Sequence, residues 1–157
     1  ELMSENPSYN SCANFMLTAT MGLNGFIAMG VEEDWATHMI GHELTALCGL
    51  DHGETLAIVH PALMDVMREE KKGKLLQYAK RVWGINLEDE NKAIDLAIEK
   101  TENFFRSIGK KTRLSENNIG DDVIEEIVKR FTDRGWCVGE RGIVTPEQTR
   151  QILQRAK

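Results

Sequence analysis

The stretch HMIGHELTALCGLDH, residues 38–52, holds three of the chain's four histidines. Side chains four apart on a helix lie on one face, roughly 5–6 Å apart at Cβ, so a helix here points His38 and His42 the same way. Neutral imidazole is the commonest protein ligand for zinc, iron and related metals. His52 follows the turn GLDHGE, where a reversal of the chain brings it back towards the His38/His42 face. A catalytic metal takes about three protein ligands and keeps one position open, and not all three histidines need be among them. The same pair can equally hydrogen-bond inside a core, and spacing alone leaves the two readings level. The zinc-peptidase pattern HExxH is not met, because Glu43 follows the second histidine instead of the first. Asp34, four residues before His38, can add a carboxylate, but its place suits a helix cap. His60, beside Pro61, reads as structural.

These residues need a helix and a turn to position them. Around the helical wheel the histidine stripe includes Gly41, Thr45 and Cys48, while Trp35, Met39, Ile40, Leu44 and Leu47 occupy most of the remainder. Gly41 lowers helix propensity by ~1 kcal/mol relative to Ala, which makes sense where another element approaches closely. Asp34 predicts the cap of a helix from Trp35 to Cys48, stopped by Gly49. Apolar residues recur at helical spacing nearly everywhere else. A helix is expected from Pro7, in its first turn, to about Gly22 or Gly30. Another starts near Gly53, with Pro61 expected to kink or break it. KKGKLLQYAKRVWG is a further helix, ended by Gly84. EDENKAIDLAIEKTENFFRSIG follows, burying Ile94, Ile98, Phe104 and Phe105. GDDVIEEIVKRFTDRG is next. TPEQTRQILQRAK closes the chain, with Thr145 capping, Pro146 first and Gln148 completing a capping box. GIVTP is the only β-like piece. The expected fold is all-α, a bundle of about seven helices.

The chain has 157 residues, enough for one helical domain spanning 1–157. Its net charge of −6 and the mixing of both signs in REEKKGK exclude nucleic acid and anionic membrane as partners. Cys12, Cys48 and Cys137 form no CxxC pair, which fits a reduced, cytoplasmic protein. No apolar run approaches the ~20 residues of a membrane span, and no signal peptide opens the chain. Residue 1 is Glu rather than Met, as in a piece of a longer protein. GLNGFIAMG has neither the spacing nor the preceding strand of a dinucleotide fingerprint, and a P-loop is missing.

HMIGHELTALCGLDHGETLAIVHPAL resembles the signature of the iron-containing alcohol dehydrogenases, in the branch of butanol dehydrogenases and NADPH-dependent aldehyde reductases. TMGLNGFIAMGVEEDWATHMIGHEL, KLLQYAKRVWGI, FFRSIGKKTRLS and TPEQTRQILQRA extend the resemblance over nearly the whole chain. It implies an N-terminal α/β domain that binds NAD(P) and a C-terminal helical domain that binds a divalent metal, Fe2+ or Zn2+. The implied ligands are an aspartate and a histidine from an upstream D-x-x-x-H helix and two signature histidines, by position His38 and His52. His42 matches a histidine that lies by the metal and the nicotinamide without ligating, which gives it a catalytic, proton-relay role and a cofactor contact. The metal polarises a carbonyl as hydride arrives from NAD(P)H, the substrates being small alcohols and aldehydes.

The nucleotide domain and the D-x-x-x-H helix are not among these residues. The chain therefore resembles the C-terminal part of such an enzyme, expected to be inactive alone. Apolar residues of the first helix, such as Phe15 or Met21, are expected to lie exposed and to favour a homo-oligomer. The competing reading is a stand-alone helical metal-binding or interaction domain without enzymatic activity.

Overall fold

Short-range capping chemistry sets the helix ends in the computed structural model, which describes residues 1–157. There are seven helices: α1 Tyr9–Leu23, α2 Ala36–Cys48, α3 His52–Val66, α4 Lys72–Trp83, α5 Glu90–Ser107, α6 Asp121–Arg134 and α7 Pro146–Arg155. The only β pairing is one isolated bridge, Val138 with Val144 of the GIVTP stretch. The all-α expectation holds. No helix is long and apolar enough to cross a membrane, and Cys12, Cys48 and Cys137 are all free thiols. The chain divides into two compact units, Glu1–Glu33 and Asp34–Lys157.

In the first unit, Ser8 rather than Pro7 marks the start of α1. Its hydroxyl accepts the Ser11 N–H at 3.2 Å, supplying the side-chain acceptor that proline lacks, and Pro7 stands outside the helix. The helix stops at Leu23, and Gly25 and Gly30 follow at positive φ. No residue of α1 is buried. Phe15, Met16 and Leu17 are exposed and Met21 is half-buried.

In the second unit, Asp34 supplies the expected acceptor for α2. Its Oδ1 accepts the Ala36 N–H at 2.8 Å, although Trp35 occupies the position just before the helix. Gly49 ends α2 in the left-handed conformation, which costs glycine little.

Of the kink or break expected at Pro61, the break does not occur; the helix runs through it to Val66. A mid-helix proline costs roughly 3 kcal/mol. Against that, α3 places Ile58, Val59 and Leu63 in the main core, and each such side chain gains about 1.5–3 kcal/mol on burial. Packing wins.

On α5, Asp89 caps by accepting the Lys92 N–H at 3.1 Å. Ile94 and Ile98 are buried as expected, but Phe104 is 49% exposed and Phe105 half-buried. The buried stripe comprises Ala93, Ile94, Ala97, Ile98 and Thr101, and Phe104 and Phe105 flank its continuation on either side. On α7, Thr145 and Gln148 form the full capping box behind Pro146.

The main core joins Ile40 and Leu44 of α2, Ile58 and Leu63 of α3, Ile127 and Phe131 of α6, and Ile152 and Leu153 of α7. A smaller cluster links Met64, Leu75, Ile94 and Ile98 across α3, α4 and α5.

Candidate metal centre

The seat of the site is a close approach at Gly41. A Cβ there would lie 2.8 Å from Thr55 Oγ1 and 3.3 Å from Thr55 Cβ, so a larger residue forces α2 and α3 apart. Thr55 is fully buried, and its hydroxyl donates to the His52 carbonyl at 2.8 Å. The first turn of α3 is thus held against the glycine that lies between His38 and His42. The sequence expectation of a close neighbour at Gly41 is met by Thr55.

That docking gathers three imidazoles. Ring centroids are 5.0 Å apart for His38 and His52, 5.4 Å for His42 and His52, and 6.2 Å for His38 and His42. One potential ligand atom from each residue lies within 4.8 Å of the others. His38 is half-buried, while His42 and His52 are exposed. Trp35 packs its ring on His38, with centroids 4.9 Å apart. Burial, and then the neighbouring His52 and His42, push the His38 pKa below its ordinary value. Each effect disfavours imidazolium and favours the neutral form that binds metals.

The donor set fits a late first-row divalent ion. Imidazole nitrogens bound to one tetrahedral zinc sit about 3.3 Å apart, given ligand bonds near 2 Å. Closing a spread of at most 4.8 Å to that value is within reach of ring rotations at an open surface.

Asp34 does not join the cluster. Its carboxylate accepts the Ala36 N–H, pairs with Lys71 Nζ at 2.5 Å and meets the Glu140 N–H at 3.4 Å. Burial alone raises its pKa, but these donors hold it below the usual range. His60 also stays apart, with its Nδ1 3.4 Å from Thr37 Oγ1, and burial pushes its pKa down.

Sequence reading missed the destination of Glu43. It is only 7% exposed and is held by Arg130 at 3.0 Å and by Arg134. Arg134 in turn lies over the Trp136 ring, 4.6 Å from its centroid. Burial on its own raises the Glu43 pKa, and the two guanidiniums bring it below the ordinary value. Arg130 and Arg134, four apart on α6, were the available signal. The Trp35 contact with His38 was also missed, because Trp35 reads simply as one more apolar position.

A helical bundle with three imidazoles gathered at the junction of two helices defines a candidate metal-binding domain. The chain belongs to the Fe-containing alcohol dehydrogenase family, whose C-terminal model matches residues 2–156. It is 45% identical to the NADPH-dependent aldehyde reductase YqhD of Escherichia coli K12, covering 99% of this chain and 40% of that protein. It is 29% identical to the NADH-dependent butanol dehydrogenase A of Clostridium acetobutylicum, covering 98% and 40%. The crystal structure of E. coli YqhD superposes over 98% of this chain and 40% of its own, with a TM-score of 0.93 and 45% identity. That of the NADH-dependent butanol dehydrogenase A from Thermotoga maritima covers 95% and 39%, with a TM-score of 0.84 and 31% identity. The chain therefore spans about 40% of the length of these relatives.

Proposed function

We propose that residues 1–157 are the metal-binding helical part of a divalent-metal, NAD(P)H-dependent alcohol dehydrogenase or aldehyde reductase, acting on small alcohols or aldehydes. The observation that carries this reading is the convergence of His38, His42 and His52, with ligand atoms within 4.8 Å of one another. Family membership and the relatives' printed activities support it.

In this reading His38 and His52 hold Fe2+ or Zn2+. Their rings are the closest pair, at 5.0 Å, and His38 is biased towards its neutral form. When bound, the ion supplies Lewis-acid polarisation of a carbonyl oxygen, with hydride delivered by the nicotinamide. His42 stands beside that position with its ring exposed, where it contacts the cofactor and exchanges a proton with solvent. The Trp35 ring lies tilted against His38, 55° between planes, and restricts its rotation on that side. Apart from His42, the groups that bind NAD(P)H in this reading are not among these 157 residues, so the chain alone does not turn over. The three free thiols support a reducing, cytoplasmic setting, and the exposed apolar residues of α1 support a homo-oligomer.

The test is metal content together with NADPH-dependent aldehyde reduction in the family-length protein. His38→Ala and His52→Ala are expected to lose both. His42→Ala is expected to keep the metal and lose turnover. The ligand assignment fails if His38→Ala or His52→Ala leaves metal content and rate unchanged. Aldehyde reduction by residues 1–157 alone would contradict the claim that this part is inactive.

A further inference from the structure

On α2, Thr37 directly precedes His38, and its hydroxyl faces His60 of α3 rather than the histidine cluster. The two groups stand 3.4 Å apart, at the long end of hydrogen bonding. A hydroxyl and an imidazole each have capacity for a further partner beyond one such contact. They line an open cleft of about 220 Å³ between α2, α3 and α4. Its walls are Leu63, Met64, Leu75 and the ring of Tyr78. The first three are each no more than 5% exposed. Asp34, Lys71 and Lys74 also line the space; Asp34 and Lys71 pair with each other at 2.5 Å, and Lys74 is exposed to solvent. An apolar space with a few convergent polar groups is the general form of a small-molecule site. An apolar cavity of about 150 Å³ is large enough for a benzene ring, so this cleft accommodates a six-membered ring with a polar head.

We propose that this cleft is a binding site, separate from the histidine cluster, for a small uncharged amphiphile, a compact hydrocarbon body carrying one hydroxyl or carbonyl. The head group hydrogen-bonds to Thr37 Oγ1 and the His60 ring, and the body lies on Leu63, Met64 and Leu75. An ionic head at Thr37 and His60 is disfavoured, since Asp34 and Lys71 are already paired, Lys74 is solvated at the surface, and the ion must give up hydration on entry. The site does not depend on the metal assignment, because none of its residues is a proposed ligand.

The experiment titrates the chain with cyclohexanol, and with cyclohexylamine and cyclohexanecarboxylate as charged analogues of the same body. Binding is followed by NMR of backbone amides and methyl groups. Cyclohexanol is expected to give saturable one-to-one shifts at Thr37, His60, Leu63, Met64 and Leu75, with the charged analogues at least tenfold weaker. Thr37→Val keeps the shape and removes the hydroxyl, and should weaken cyclohexanol about fivefold, the equivalent of one lost hydrogen bond. Met64→Trp fills the space and should abolish binding; should that variant not fold, the isosteric Thr37→Val still decides. Saturating Zn2+ should leave the cyclohexanol affinity unchanged. Absence of saturable shifts at the cleft residues overturns the proposal, as do shifts centred on His38, His42 and His52. Equal binding by Thr37→Val, or equal binding of the three probes, also overturns the assigned head-group contact. The metal assignment is untouched by any of these outcomes, since it is read from the histidine variants.

Discussion

Helices α1 and α2 have similar lengths, 15 and 13 residues, and opposite fates. No residue of α1 is buried, and Phe15, Met16, Leu17 and Leu23 are each more than half exposed. In α2, Ala36, Ile40, Gly41, Glu43 and Leu44 are buried. The difference does not follow apolar content. Residues 6–31 contain no Asp, Glu, Lys or Arg at all, so α1 has no face marked for solvent. Each face of α2 has a separate task. Ile40 and Leu44 enter the core, Glu43 meets the arginines of α6, Gly41 admits Thr55, and His38 and His42 turn towards His52. A helix positions chemistry when its faces are divided in this way.

The strongest way to break the contrast is to truncate both helices. Leu44→Ala removes a fully buried side chain and should cost about 2–5 kcal/mol in urea denaturation. Phe15→Ala, on α1, should change stability by no more than about 0.5 kcal/mol. Equal losses would remove the distinction.

Glu43 tests the second face. Glu43→Ala leaves Arg130 and Arg134 without their shared carboxylate and should cost about 1–3 kcal/mol. The sign of the pH effect follows from its lowered pKa. Glu43 stabilises the fold fully above the unfolded value near 4.5, and the contribution is lost as pH falls through the folded value. Glu43→Gln should therefore flatten the acid side of the stability profile. An unchanged acid limb would show that the pair of arginines contributes nothing.

At Gly41, an added methyl meets Thr55 Oγ1 at 2.8 Å. Gly41→Ala should destabilise the fold by about 1–2 kcal/mol and weaken metal binding by displacing His52. Adding Thr55→Ala should recover part of both losses, a coupling that a double-mutant cycle measures. Simple additivity would mean the two residues do not govern the docking. The smallest effect lies with α1. Phe15→Ser with Leu17→Ser should leave the melting temperature nearly unchanged yet reduce concentration-dependent association seen by light scattering. A clean monomer before substitution would count against the homo-oligomer.

Much of this was readable in the sequence, for stated reasons. Gly49, Gly84, Asp89 and the Thr145/Gln148 box act within a few residues, so helix ends follow local chemistry. The grouping of His38 with His42 follows from helical spacing, and the near approach of His52 from the turn between the two helices. Long-range partners were not readable. Pro61 looked like a break because the packing that carries α3 through it comes from other helices. Phe104 looked buried because helical spacing places it and Phe105 equally near the buried stripe of α5, and only the neighbouring elements decide between them. Arg130 and Arg134 lie 87 and 91 residues from Glu43, and no local pattern connects them. Asp34 could be read as a cap, but not as the partner of Lys71, 37 residues away.

The most direct test is a Zn2+ titration of this chain followed by the ring-proton NMR signals of all four histidines. A shared binding point predicts that His38 and His52 shift together with one midpoint at one ion per chain, that His42 responds as a close neighbour, and that His60 stays still. If His38 and His52 titrate with separate midpoints, or shift no more than His60, the two rings do not serve one ion and the metal-centre account is wrong.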